Sequence, residues 1–374
     1  MILPRPSKAP TWVRCAGSVR LSAQAPDWHD DDEDVAVREE GTACHWAAHQ
    51  HVITGQRVAL DTLAPNGVPI TEEMHDAHDT YFAAVAEWGV AQAYFELPVT
   101  CHRVHHTCQG TLDVGAYCPE RRTIFIGDLK FGYRFVDVYE NWQLLCYAVG
   151  LQHYLGLESD LDLWFEFLIV QPRSYHNEGP VRRWRVRATD VRAHINILAG
   201  AYESAIAPVA VCKVNPGCGR CDGRHQCTTI QSAAGDVEDA SYAATPHELP
   251  FPAAENELRR LQRARDIIDA RITGLEGQVT HAIRNGTHST RYAVEQSAPR
   301  LAWRDDAARA TIINVGKLLG VELTQQKLIT PTQAKKLLPA AYVDANSYRP
   351  PGQLRLIPIE SSRVMRTIRK NQNV

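Results

Sequence analysis

The sequence predicts an α/β (α+β) fold with a central mixed sheet flanked by helices, followed by a mainly helical C-terminal extension. Three observations carry this. Short β-rich apolar runs cluster between about residues 93 and 187, with helical periodicity before, between and after them. One run, Thr123–Leu129 (TIFIGDL), is apolar nearly throughout, as a strand covered on both faces must be. Beyond residue 250 the pattern turns long, charged and helical. The 374 residues, 44% hydrophobic and 22% charged, suffice to bury a sizeable core.

The elements follow in order. An acidic stretch (Asp27, Asp30, Asp31, Asp32, Glu33, Asp34) reads as a solvated loop, and Glu39 to Val52 as a helix rich in Ala and His. Thr71 is a candidate N-cap for a helix running to Gln92, with Met74, Ala77, His78, Tyr81, Phe82 and Val85 on one face. Ala93–Thr100, Gln109–Tyr117 and Thr123–Leu129 read as strands, the last two joined by a hairpin-like connection at Pro119–Arg121. Val138–Leu155 reads as a helix, Leu161–Gln171 as the strongest strand, Val181–Arg187 as another, and Thr189–Ile206 as a helix capped by Thr189 or Asp190. Later come a helix over 254–284, a short strand near 290–296, a helix near 305–319, a small helix over Pro331–Leu338 and a Pro-Pro-Gly tail. The expected division is a domain over 1–230, a polar linker over 231–252 and an extension over 253–374.

Charge and cysteine content narrow the function. With 40 Lys+Arg against 43 Asp+Glu the net charge is −3, which argues against a surface that coats nucleic acid everywhere but allows a local basic groove. Met1–Pro10 lacks a basic-then-apolar leader, and no run is long enough to span a bilayer, so a cytoplasmic location is expected. Ten cysteines in a reducing compartment point to metal binding or burial rather than disulfides.

Polar groups stand where a plain core would not put them. Asp113 lies within GTLDVGAY, and Asp128 and Lys130 end TIFIGDLKFG two positions apart, hence on one strand face. If the two strands form a hairpin, Asp113 joins them. Converging carboxylates make a hard oxygen site for a divalent cation, and a neighbouring lysine can orient water for phosphodiester hydrolysis. The bland alternative is a salt-bridge cluster on an ordinary sheet.

At these residues the chain resembles the PD-(D/E)XK nuclease superfamily in its RecB-like exonuclease branch. Gly110-Thr-Leu-Asp113 is similar to the first acidic motif and Gly127-Asp-Leu-Lys130 to the D-x-K motif. Asn141-Trp-Gln143-Leu-Leu-Cys-Tyr147 is similar to the Q-x-x-x-Y motif, and Gly41-Thr-Ala-Cys-His45 to the G-x-x-x-H motif. The resemblance implies a restriction-endonuclease-like core. It further implies Mg²⁺ or Mn²⁺ held by His45, Asp113 and Asp128, with Lys130, Glu40, Gln143 and Tyr147 as further site residues. Cys218-x2-Cys221-x5-Cys227 with a distant Cys15 resembles the members that carry a 4Fe–4S cluster; a structural Zn²⁺ on Cys212, Cys218, Cys221 and Cys227 is the rival. Cys44, Cys101, Cys108, Cys118 and Cys146 read as packing thiols. Ile329-Thr-Pro-Thr-Gln-Ala-Lys-Lys-Leu-Leu and Pro350-Pro-Gly resemble the C-terminal part of a phage and prophage family of unknown function.

The resemblance therefore implies a metal-dependent deoxyribonuclease, of exonuclease type, serving phage DNA replication, recombination or processing in a bacterial host cell. DNA is the expected partner, as single strands or duplex ends, with phage replication or recombination proteins as further partners. Arg173, Arg183 and Arg185 form a candidate phosphate-tracking stripe, against which stands the reading of a solvated edge strand. The alternative function is a non-catalytic DNA-binding accessory protein on a nuclease-derived scaffold; an intact acid–acid–lysine set weighs against it.

Overall fold

The run Thr123–Leu129 is buried at every position, so it must lie between two strands and beneath two helical layers. The computed structural model describes residues 2–25, 32–160, 162–174, 178–241, 249–296, 302–304, 306–321, 323, 331–335, 337–348 and 354–358. The chain opens with helices α1 (Ala9–Trp12), α2 (Ser18–Ala23), α3 (Asp32–Thr54) and α4 (Glu72–Ala86). Strands β1 (Ala93–Thr100), β2 (Gln109–Cys118) and β3 (Thr123–Leu129) follow, then α5 (Trp142–Tyr154), β4 (Trp164–Val170), β5 (Val181–Arg187) and α6 (Arg192–Ile206). Helices α7 (Thr228–Ser241) and α8 (Phe251–Arg284) come next. Two units result, Met1–Gly277 and Gln278–Val374.

The five strands form one mixed sheet in the order β1-β2-β3-β4-β5. The β1–β2, β2–β3 and β4–β5 pairs are antiparallel, and β3–β4 is parallel. A parallel neighbour cannot be reached by a tight turn, so α5 makes the crossover between β3 and β4. Alternation along β3 sorts its side chains. Ile124 and Ile126 join Leu145 of α5, Leu198 and Tyr202 of α6 and Trp12 of α1 in one core. Phe125 and Leu129 join Ala43 and Ala47 of α3 and Met74, Ala77 and Tyr81 of α4 in the other. Gly127 has no room for a side chain, because an added Cβ would lie 2.6 Å from Val114 Cγ1.

Local chemistry moves several boundaries. Thr71 caps α4 as expected, its hydroxyl accepting from the Met74 amide at 3.3 Å. Helix α5 starts at Trp142 rather than Val138, because Asn141 Oδ1 accepts from the Gln143 and Leu144 amides at 3.0 and 3.2 Å. Helix α6 starts at Arg192, with no side-chain cap from Thr189 or Asp190. The acidic stretch is not all loop: Asp32, Glu33 and Asp34 lie in the first turn of α3, while Asp27, Asp30 and Asp31 lie outside the described residues. The polar segment expected as a linker carries α7, whose Ile230 is buried beside Cys218 and Cys227. Within the first unit, α8 buries Ala270 on this segment, and Gly274 meets the His225 backbone.

The second unit is helical with short strand pairs. It contains β6 (Tyr292–Gln296), β7 (Ala302–Trp303), α9 (Asp306–Leu318), α10 (Pro331–Ala334), α11 (Ala340–Ala345), β8 (Ser347–Tyr348) and β9 (Leu354–Pro358). Strand β6 pairs with β9, and β7 with β8. A small core gathers Ile312, Leu323, Ala334, Leu338 and Val343. The Pro350–Gly352 motif and residues 329–330 lie outside the described residues. Among the described residues no helix is long and apolar enough to cross a membrane.

Candidate metal and carboxylate site

Strand register brings three carboxylates into one row. The β1–β2 ladder pairs Phe95 with Val114 and Leu97 with Leu112, which sets Glu96 across from Asp113. The β2–β3 ladder ends at Val114–Gly127, and one position further sets Asp113 across from Asp128. Like charges opposed on neighbouring strands repel, so such a row calls for a cation. Glu96 also holds a left-handed backbone at φ 47°, unusual for a non-glycine residue within a strand.

Each end of the row is held from a different helical layer. On the α3 side, a His45–Leu129 contact of 2.8 Å joins the ring Nε2 to the backbone carbonyl. A carbonyl oxygen only accepts, so Nε2 carries the hydrogen. Nδ1 then faces Asp113 Oδ2 at 3.6 Å and Glu96 Oε1 at 3.8 Å. A histidine that donates one N–H to a carbonyl and turns its other nitrogen to a carboxylate pair has the arrangement typical of a metal ligand. Ligand atoms of His45, Glu96 and Asp113 all lie within 4.8 Å of one another. Burial works against charge on His45, but Asp113 and a hydrogen bond accepted by Glu96 outweigh it and raise the pKa to about 9. The metal-free imidazole therefore stays protonated and supplies positive charge to the row.

On the α5 side sits Asp128, only 1% exposed. Its Oδ1 accepts from Lys130 Nζ at 2.9 Å and from Gln143 Nε2 at 2.8 Å. Its Oδ2 lies 2.8 Å from the same ammonium, off hydrogen-bonding angle. Burial pushes Asp128 up to about 6, with Lys130 pulling the other way. Lys130 is raised despite burial, because Asp128 and Asp113 favour its charged form. Gln143 Oε1 accepts from Lys130 at 3.3 Å, so the glutamine bridges both members of the pair. Tyr147, one turn along α5, is buried, and burial with Asp113 and Asp128 nearby drives its pKa far up, so its phenol stays protonated. Asp113 is fixed by the hairpin itself, since its Oδ2 accepts from the Leu129 amide at 2.9 Å.

Of the residues expected in the site, His45, Asp113, Asp128, Lys130, Gln143 and Tyr147 gather here. Glu40 does not: it pairs with Arg173, which also binds Glu73 at 2.9 Å. Arg173 corrects a second expectation. It is 6% exposed and stacks 3.7 Å from the Phe131 ring centroid, so it ties α3 to α4 and does not present a surface to phosphates. Arg183 is bound by Glu87 at 2.8 Å and Glu166 at 3.6 Å, and Arg185 packs over Trp164. With β5 at the sheet edge, the edge-strand reading of these two fits better. Glu96 was not expected. Its signal was the one acidic residue in AYFELPVT, and recognising it required the register against Asp113.

A second group of donors joins the two ends of the domain sequence. Cys15, Cys218, Cys221 and Cys227 line one pocket. The Lys213 amide donates to Cys15 Sγ and the Asn215 amide to Cys218 Sγ, both at 3.3 Å. The Gly17 amide donates to the Val211 carbonyl and the Gln226 side-chain Nε2 to the Leu21 carbonyl, fastening the same seam. Cys212 belongs to the group too; burial raises its thiol to about 12, reinforced by Cys15 and Cys227.

Fold and site together describe an α/β protein with a histidine–carboxylate cluster on its mixed sheet whose ligand atoms could hold a cation. Residues 4–364 match the family model described as "Protein of unknown function (DUF2800)", and the chain belongs to that family.

Proposed function

We propose that the protein is a metal-dependent DNA nuclease of the PD-(D/E)XK type, in the RecB-like branch. The supporting observation is the cation-demanding row of Glu96, Asp113 and Asp128, with His45 at one end and the Asp128–Lys130–Gln143 network at the other. His45, Glu96, Asp113 and Asp128 would hold Mg²⁺ or Mn²⁺. When bound, the ion supplies Lewis-acid polarisation of a phosphate oxygen and a more acidic water. Lys130, kept protonated, donates to the attacking water or to a phosphate oxygen and does not act as the base. Gln143 fixes its ammonium. Substrate is DNA, attacked from ends or in single strands, and phage replication or recombination is the fitting context.

The cysteine pocket suits a 4Fe–4S cluster on Cys15, Cys218, Cys221 and Cys227. Its donors are all thiols, and two backbone amides point at sulfur, a recognised means of tuning such clusters. Zinc held by Cys212 and the three later cysteines is the second reading, favoured by the place of Cys212 beside Cys227. Brown protein containing iron and acid-labile sulfide supports the cluster; colourless protein containing stoichiometric zinc supports the alternative.

The test of activity is hydrolysis of linear and circular DNA with Mg²⁺ or Mn²⁺. The wild type should degrade DNA in the presence of either ion and stop with chelator, and Lys130→Ala should be inactive though folded. Full activity in Lys130→Ala would refute the assignment.

A further inference from the structure

The segment that leaves the site, Phe131–Asn141, is held from below and presents aromatic rings above. Buried Gln171, 1% exposed, donates from Nε2 to the Gly132 and Arg134 carbonyls at 2.9 and 2.5 Å. Its Oε1 accepts from the Val136 amide at 3.0 Å. Arg182, also buried, adds bonds to the Val136 carbonyl at 2.9 Å and to Gln171 Oε1 at 2.8 Å. This is a loop whose backbone is satisfied by buried side chains, not a free connection. Upon it Tyr133 is 56% exposed, with the Arg173 guanidinium 5.0 Å from its ring centroid. Tyr139 is 58% exposed further along the same loop, with Trp184 at 5.0 Å. Ordinary burial energetics do not favour rigid exposure of large rings next to a hydrolytic site.

Positive charge adjoins the same loop. Arg134 follows Tyr133, and Arg134 and Arg14 both stand near enough to Arg220 that, after burial, their charges lower its pKa. Arg14 also reaches the cysteine seam, its Nη1 lying 3.9 Å from where a Cβ on Gly217 would stand. Among the described residues no ion pair engages Arg14, Arg134 or Arg220. Three uncompensated guanidinium groups beside exposed rings combine the two features that bind a flexible polyanion carrying flat bases: backbone charge neutralisation and stacking.

We infer that the Phe131–Asn141 loop, with Arg14 and Arg220 of the cysteine seam, is the entry platform for single-stranded DNA. Tyr133 stacks a base while Arg134, Arg14 and Arg220 track the phosphates leading to Lys130. This rests on the nuclease reading and deepens it by naming the strand form that the site receives. A duplex, whose bases are already stacked on one another, gains only the charge contribution.

The test is fluorescence anisotropy of labelled oligo(dT) and of a blunt duplex of equal length, in chelator so that no cleavage intervenes. The wild type should bind the single strand more tightly than the duplex. Tyr133→Ala should weaken single-strand binding about tenfold, as expected for loss of one stacked base, and leave duplex binding unchanged. Tyr133→Phe should retain wild-type affinity. Arg14→Glu with Arg134→Glu should weaken both forms and flatten the salt dependence. Equal single-strand affinity in wild type and Tyr133→Ala, or an equal loss in Tyr133→Phe, would overturn the platform. A separate Mn²⁺ assay keeps the two readings apart. Cleavage by the wild type with no Tyr133 effect on binding leaves the nuclease reading standing and removes the platform. Tyr133-dependent binding without any cleavage does the reverse.

Discussion

Cys44 and His45 are consecutive residues of α3, yet they belong to two regions of opposite character. His45 faces the carboxylate row, where Asp113 and Glu96 overcome burial and raise its pKa to about 9. Cys44 faces α4, where its thiol and carbonyl meet His78 at 3.4 and 2.9 Å. There burial pushes the Cys44 thiol up to about 12 and His78 down to about 4. One face of the helix collects charge, and the other expels it. Burial alone does not mark a functional group; burial among clustered carboxylates that shift one another's partners marks a candidate.

This contrast separates activity from stability. The largest expected effect lies on the charged face. Asp128→Asn should lower Mn²⁺-dependent hydrolysis by about a thousandfold, the scale of losing a preorganised electrostatic group, while circular dichroism and the melting curve change little. Loss of structure in that variant would erase the distinction.

On the packed face the order reverses. Arg173→Met removes the buried cation shared by the partly exposed Glu40 and Glu73, so it should cost about 1 kcal/mol in urea unfolding while sparing the catalytic rate per folded molecule. A catalytic defect without a stability defect would move Arg173 to the other region.

The two histidines should give opposite pH signatures in metal-free protein. The folded pKa of His78 is depressed, so its contribution is complete above about 6.5 and declines as pH falls toward about 4. The folded pKa of His45 is raised, so its contribution is complete below about 6.5 and is lost as pH rises through about 9. Urea unfolding across pH should show the acid-side loss diminished in His78→Gln and the alkaline-side loss diminished in His45→Gln. The same slope in both variants would dissolve the contrast. The smallest effect concerns Glu96. Glu96→Gln should weaken Mn²⁺ binding by about tenfold in calorimetry with the fold unchanged, comparable to the loss of a supporting metal-site contact. Undiminished affinity would remove Glu96 from the site.

Much of this was legible in the sequence because it is periodic or local. TIFIGDL reads as a buried strand from composition alone, and Asp128 and Lys130 share a space because i and i+2 do so on any strand. The Gln143–Tyr147 spacing placed both on one helix face, and both lie buried near Asp128. What escaped depends on pairing between distant segments. Glu96 becomes a site residue only through its register against Asp113. Glu40 was misplaced because α3 passes both regions, and the choice between metal and Arg173 is set by a side chain 133 residues away. Strand β9 was missed because a short strand so near the end of the extension has no pattern without its partner β6.

The central claim is that the carboxylate row with Lys130 hydrolyses phosphodiester bonds with the aid of a divalent cation. Its most direct test is the initial rate of product release from 5′- and 3′-labelled DNA as a function of Mn²⁺ concentration, for wild type and Asp128→Asn at matched folded concentration. The account predicts saturable, Mn²⁺-dependent cleavage by the wild type and almost none by the variant. Equal rates for the two proteins, or no cleavage by metal-loaded wild type on either labelled end, would contradict it.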